Sequence, residues 1–239
     1  MTQIQPQTAL ITGASRGLGL SLARALAVRG WQLIIDARGK EALDRATAEL
    51  AALTRVTAVS GTITDANHRL ALAQAAVEMG GLDAVVNNAG ILGPSPQPAL
   101  LDYSLPVLLE VFQVNVVAQL GVVQAVAASL KPGARLITIT SDAGVEAYPG
   151  WGGYGASKAA LEQMTAVLAA ENPQWRVYWV DPGDMRTQMH QDAFPGEDIS
   201  DRPQPEVSVP GLLALLTGDW PNGRYQAQQM PQASAPELA

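Results

Sequence analysis

Three observations predict an α/β fold built on a doubly wound parallel sheet flanked by helices. Short apolar, β-branched runs alternate with helix-spaced apolar patterns along most of the 239 residues. The first run leads straight into a glycine-rich turn and then a helix. No fixed-period repeat and no Gly/Pro-rich linker divides the chain. Residues 1–239 therefore read as one domain.

The strand-like runs are Ala9–Thr12, Gln32–Asp36, Val56–Ser60, Ala84–Asn87, Arg135–Ser141 and Arg176–Asp181. Between the first two, Leu18, Leu22, Ala25 and Leu26 recur at helical spacing, and Gly30 is placed to stop the helix. Leu105–Leu130 is the most apolar long stretch, but Pro106, Glu110, Gln113, Asn115, Gln119 and Gln124 interrupt it, so it reads as a buried helix rather than a membrane span. Tyr154–Ala170 reads as another helix. The Pro/Asp-rich segment Asp192–Pro210 is long enough to be a mobile lid, and a short helix follows near Gly211–Leu216. Met1–Gln7 and Gln226–Ala239, rich in Gln, Pro and Ala, read as frayed tails.

Composition excludes several functions. Lys+Arg 15 against Asp+Glu 22 gives a formal charge of −7, which argues against nucleic acid or an anionic membrane as partner. The chain has no Cys, and its two His are far apart, so disulfides, thiolate chemistry and a metal site are not expected. The first residues carry no secretory pattern, and a cytoplasmic location is expected.

Right-handed crossovers in such a sheet place ligands beyond the carboxyl ends of the strands. There Thr12 is followed by Gly13, Gly17 and Gly19. Gly13 can turn the chain sharply, Gly17 lets backbone amides approach a diphosphate, and Gly19 lets the helix pack close to the sheet. Glycines that merely end a strand are the plainer alternative. The sugar-side signal is mixed: Asp36 at the end of the second strand favours a free 2′-hydroxyl, whereas Arg16 and Arg38 favour a 2′-phosphate.

Tyr154 and Lys158 stand four residues apart and share a helix face. An ammonium beside a phenol favours its ionised form and moves it toward proton transfer at neutral pH. Ser141 closes the fifth strand at the ligand-facing edge; a plain turn or cap is the alternative. Asn115, inside an apolar run, must have hydrogen-bond partners, structural or water-mediated.

Together these residues resemble the short-chain dehydrogenase/reductase family over about residues 8–190: Thr12 with Gly13, Gly17 and Gly19, then Asn87-Asn88-Ala89-Gly90, Asn115, Ser141, Tyr154 with Lys158, and Pro182-Gly183 with Thr187. The resemblance implies a single-domain Rossmann-type sheet and reversible hydride transfer between NAD(P)H and a carbonyl or alcohol. It implies Tyr154 as acid/base, Lys158 gripping the nicotinamide ribose and lowering the tyrosine pKa, Ser141 orienting the carbonyl and Asn115 holding a relay water. Gly13, Ser15, Arg16, Gly17, Leu18, Gly19, Arg38, Asn88, Ala89 and Gly90 are implied on the adenosine and diphosphate side. Pro182, Gly183, Met185 and Thr187 are implied at the nicotinamide, along with Asn115, Tyr154 and Lys158.

The acid typical of NAD-using members falls where this chain has Ala37, whereas Arg16 and Arg38 match NADP-using members, so NADPH is expected over NADH. Asp36 is expected to point away from the ribose, with Arg38 as an ion-pair option. Thr62 departs from an Asp common at the adenine edge, Asp184 from a usually apolar position, and Asn222–Tyr225 ends without the family's closing strand. Asp142 is read mainly as a backbone hydrogen-bonding residue. Tyr148, Trp151, Met185, Met189 and Phe194 are candidate substrate walls, His68 and His190 surface or cap residues, and Trp31, Trp175 and Trp220 packing residues. A homodimer through Leu105–Leu130 and Tyr154–Ala170 is expected, with a tetramer as alternative. A nucleotide-sensing regulatory protein on the same fold is the rival reading; it would have no use for Ser141, Tyr154 and Lys158 together.

Overall fold

The structure, a computed structural model, describes residues 6–231. Its strands are β1 (Thr8–Ile11), β2 (Gln32–Ala37), β3 (Val56–Ser60), β4 (Leu82–Asn87), β5 (Leu130–Ile139), β6 (Arg176–Asp181) and β7 (Gly223–Gln226). They form one sheet in the order β3-β2-β1-β4-β5-β6-β7, every pair parallel. The chain runs outward from β1 to β3 and then resumes at β4 on the other side of β1. That reversal opens a crevice at the carboxyl ends of β1 and β4, where an open α/β sheet receives its ligand.

The helices are α1 (Gly17–Val28), α2 (Lys40–Ala51), α3 (Ala66–Glu78), α4 (Leu105–Phe112), α5 (Ala118–Val126), α6 (Gly152–Glu171), α7 (Gln188–Ala193) and α8 (Val209–Thr217). The pleat divides the core in two. Ala9 and Ile11 of β1 pack in one apolar cluster with α1 and α8, while Leu10 between them packs in another with α3 and α5. Trp31 and Trp175 are buried, as their packing role requires.

Five expectations change. β7 exists and pairs in parallel with β6; Gly-Arg-Tyr-Gln carries no apolar run because it is an edge strand. Ala227 just beyond it is buried, so the expected tail from Gln226 is ordered at least to Met230, and residues 1–5 and 232–239 lie outside the described residues. β5 begins at Leu130, which pairs with Leu82, and not at Arg135.

The Leu105–Leu130 segment is α4, a five-residue stretch with wider i→i+5 turns (Gln113–Val117), and α5. By length and composition it is apolar enough to cross a membrane, yet only 33% of its most apolar window is buried within the molecule. It is therefore only in part the buried helix expected; Leu105 and Leu109 are 69% and 71% exposed. Asp192–Pro210 is also less free than a lid: Arg186 N–H donates to Pro203 O, and the buried Ser208 hydroxyl donates to Pro182 O at 2.6 Å.

Candidate active site

The glycine loop is fixed by its neighbour across the crevice. Gly13 (φ +68°) and Gly17 (φ +55°) have left-handed backbones that other residues adopt with strain. A Cβ on Gly13 would lie 3.0 Å from Ala89 Cα, and one on Gly19 2.6 Å from Asn88 Nδ2. The Asn88 amide fills the space these glycines leave, donating to Thr12 O (2.8 Å) and Gly13 O (3.2 Å), while Thr12 Oγ1 accepts from the Asn88 and Ala89 N–H groups at 3.0 Å. The Asn88 side chain thus clasps the loop itself.

α1 starts at Gly17 behind an extended Arg16, and no side chain caps its first amides. Free N–H groups and the helix dipole there suit a diphosphate. Leu18 is buried beneath the turn, Ser15 is partly exposed on it, and the Thr187 methyl comes within 3.7 Å of where a Gly17 Cβ would be. The Pro182–Thr187 segment therefore closes over the loop. Arg16 and Arg38 are exposed, and neither joins an ion pair among the described residues.

Asp36 does not pair with Arg38. Its Oδ1 accepts the Gly13 N–H at 2.7 Å and its Oδ2 lies 2.8 Å from His68 Nε2, with both side chains buried. His68 is thus a core residue, not a surface or cap residue. The expectation failed because partners 32 positions apart leave no local pattern.

The catalytic half forms where β5, α6 and the segment after β6 meet. Asn115 is fully buried: its Oδ1 accepts from Ile91 N–H, and its Nδ2 donates to Ile91 O and to Ser157 Oγ at 3.0 Å. Its side chain secures the loop after Gly90. Lys158 is buried and donates from Nζ to Ile139 O at 2.8 Å, with Nζ 5.4 Å from the centre of the Tyr154 ring. Burial pulls its pKa down to about 8, against an opposing pull from Glu162.

Tyr154 is buried edge-on to Trp151. Burial first, then Asp142 and Asp181, push its pKa well above the ordinary phenol value, and the Ser141 hydroxyl is the group that lowers it. The Lys158 ammonium lies over the ring and donates to the Ile139 carbonyl.

Ser141 Oγ donates to Asp142 Oδ1 at 2.8 Å, and Asp142 also accepts from Ala143 N–H and Tyr148 OH. Ser141, Tyr154, Asp142, Met185, Met189 and Trp151 line one cavity of about 100 Å³, and Leu92, Pro182, Gly183 and His190 also border it. Phe194 packs behind, on Trp151 and His190, and Tyr148 reaches the site only through Asp142. Gly183 (φ +75°) is locked by Asp181 Oδ1 on its N–H, and Gln228 donates to Pro182 O at 3.0 Å.

One participant was not foreseen. Arg224 of β7 donates to Glu162 Oε1 (3.1 Å) and to Ser141 O (3.2 Å), and stands 3.7 Å from Asp181 Oδ2. It offsets two buried carboxylates directly behind the serine. The only sequence signal for it is a lone charge in a short edge strand.

A family model described as short chain dehydrogenase matches residues 7–198. The uncharacterized oxidoreductase YciK of Escherichia coli (strain K12) is 33% identical over 224 residues, covering 88% of this chain and 86% of YciK. Among solved structures, a short chain dehydrogenase from Pseudomonas syringae superposes with a TM-score of 0.88 at 27% identity, over 95% of this chain and 97% of that one. One from Shigella flexneri 2a str. 301, complexed with NADP, does so with a TM-score of 0.83 at 31% identity, over 93% and 97%. The matched span takes in the glycine loop, the Asn88 clasp and the Ser141, Tyr154 and Lys158 group, and the chain is an NAD(P)H-dependent oxidoreductase that belongs to the short-chain dehydrogenase/reductase family.

Proposed function

We propose that this chain is an NADPH-dependent carbonyl reductase, running in reverse as an alcohol dehydrogenase. The observation that carries the reading is the convergence of a protonated Tyr154 hydroxyl and the Ser141 hydroxyl on one cavity, with the buried Lys158 ammonium beneath the same ring. The glycine loop fits a dinucleotide: its glycines leave a cradle that a Cβ would fill, and the first amides of α1 are uncapped. When bound, NADPH supplies the hydride for the carbonyl carbon.

Gly13, Ser15, Arg16, Gly17, Leu18 and Gly19 would hold the diphosphate, with Asn88, Ala89 and Gly90 as the adjoining wall. Pro182, Gly183, Met185 and Thr187 would bracket the nicotinamide, and Lys158 the ribose beside it. Ser141 would turn its hydroxyl from Asp142 to the substrate oxygen and orient it. Tyr154, kept neutral by burial, would give that oxygen its proton, and Asn115 would hold a relay water.

Arg16 and Arg38 support the choice of NADPH, being exposed and able to grip a 2′-phosphate with charge-assisted hydrogen bonds. The two engaged oxygens of Asp36 support it too, since that acid is withheld from the ribose. The structural likeness to the NADP complex from Shigella flexneri points the same way. We also propose a homodimer, supported by the exposed apolar side chains Leu105, Leu109 and Val117 along α4 and the wider-turn stretch that follows it.

Tyr154→Phe keeps NADPH binding and loses at least about 10²-fold in turnover, the scale of general acid catalysis; near-normal kcat on a carbonyl substrate identified by panel screening rules the assignment out. Arg38→Ala lowers the NADPH-to-NADH ratio of kcat/KM by about tenfold to a hundredfold, the worth of one charge-assisted contact. An unchanged ratio contradicts the cofactor choice. Light scattering at micromolar concentration reads about twice the 25.1 kDa of one chain; a monomer mass there removes the dimer.

A further inference from the structure

One buried polar pair has no part in the proposed reaction, and it lies directly under the cofactor loop. Asp36, next to last in β2, grips that loop twice. Its Oδ1 accepts the Gly13 N–H at 2.7 Å, and its main-chain carbonyl accepts the Ala14 N–H at 2.9 Å. The remaining carboxylate oxygen faces His68, in the first turn of α3, with Nε2 2.8 Å away. The side chains are 2% and 4% exposed, so water cannot substitute for either partner. Toward an ionised carboxylate Nε2 must donate. The far side of the ring is pressed against Gly61, where any Cβ would run into it, so the imidazole has little freedom to turn away.

The pairing bears on two charges of a dinucleotide. An acid at the end of this strand that reaches the adenosine ribose favours a 2′-hydroxyl and repels a 2′-phosphate. A carboxylate left without its donor beneath an anion-binding loop also opposes the diphosphate, and in a buried site that repulsion is weakly screened. With His68 in place, both oxygens of Asp36 are committed inward, and the exposed Arg16 and Arg38 face solvent without a competing acid from this strand.

We propose that His68 is a positioning residue for cofactor selection, which holds the Asp36 carboxylate beneath the glycine loop and so preserves the preference for NADPH over NADH. The assignment rests on the NADPH reading above and extends it to a residue that touches no cofactor atom.

Fluorescence titration of the purified full chain with NADPH and with NADH tests it without any substrate. His68→Leu weakens NADPH binding by about tenfold or more and NADH binding by much less, as expected for loss of one hydrogen bond to a charged group. His68→Gln, whose amide N–H reaches about as far as Nε2, keeps both affinities close to wild type. Adding Asp36→Asn to His68→Leu restores NADPH binding, because the amide oxygen that replaces the carboxylate still accepts from Gly13 N–H but carries no charge. A merely structural histidine would lower both affinities together and leave the NADPH-to-NADH ratio unchanged.

Thermal melts of each variant check folding. If His68→Leu does not fold, the same comparison is made on His68→Asn, whose shorter amide stops short of Asp36. An unchanged NADPH-to-NADH ratio in the variant lacking the donor, or no recovery on adding Asp36→Asn, overturns the proposal. A wild type that binds neither dinucleotide, or prefers NADH, overturns the cofactor reading itself and this assignment with it.

Discussion

The five residues from Asn87 to Ile91 join the two halves of the site. At their start, Thr12 Oγ1 accepts from the Asn88 and Ala89 N–H groups, and Asn88 Nδ2 donates to two carbonyls of the glycine loop. Asn87 Nδ2 then donates to Gln119 O, and Gln119 Nε2 donates back to Ala89 O. At their end, Asn115 holds both the N–H and the carbonyl of Ile91 and passes a third bond to Ser157. Ser157 lies on α6 between Tyr154 and Lys158, so the catalytic face is set in register with the glycine loop through one short segment. Each such bond has a modest net worth, but leaving a buried partner unpaired costs about 1–3 kcal/mol, so the set tolerates little change. Gly90 fits the same logic, since a side chain there would meet Asn115 Oδ1 at 3.2 Å.

Burial acts in opposite directions on the two titratable groups of the centre. It holds the Tyr154 phenol protonated, the state a proton donor needs, and pulls the Lys158 ammonium toward losing its proton. Glu162 resists the second effect, and Glu162 is itself bonded to Thr140 Oγ1 and Arg224. The edge strand β7 therefore contributes a charge to the catalytic helix as well as closing the sheet, which explains why so short a strand matters to the site.

Much of this was legible in the sequence, for physical reasons that also mark where legibility stops. Parallel strands buried on both faces need apolar runs, and the inner strands β1, β2, β4, β5 and β6 contain them, whereas the edge strand β3 is only partly buried. A loop that must approach β4 closely needs glycine at positions 13 and 19, where a Cβ has no room. Tyr154 and Lys158 share a helix, so their spacing in sequence is their spacing in space. The pairing of Asp36 with His68, the reach of Arg224 across 62 positions to Glu162, and the wider turns around Asn115 follow no period. Each joins single polar residues brought together only by the tertiary fold, and a lone His or Arg reads the same on a surface as in such a pair. The apolar positions of α4 carried two readings, buried helix and dimer face, because an apolar stripe left exposed has the same sequence pattern as one packed in the core.

The central claim is that these residues carry out hydride transfer to a carbonyl and do not merely sense a nucleotide. NADPH deuterated at the transferable position of nicotinamide C4, incubated with the protein and a panel of aldehydes and ketones, tests it most directly. The account predicts alcohol product with deuterium on the former carbonyl carbon. Binding of the cofactor without turnover across the panel, or alcohol formed without the label from either C4 face, would contradict it.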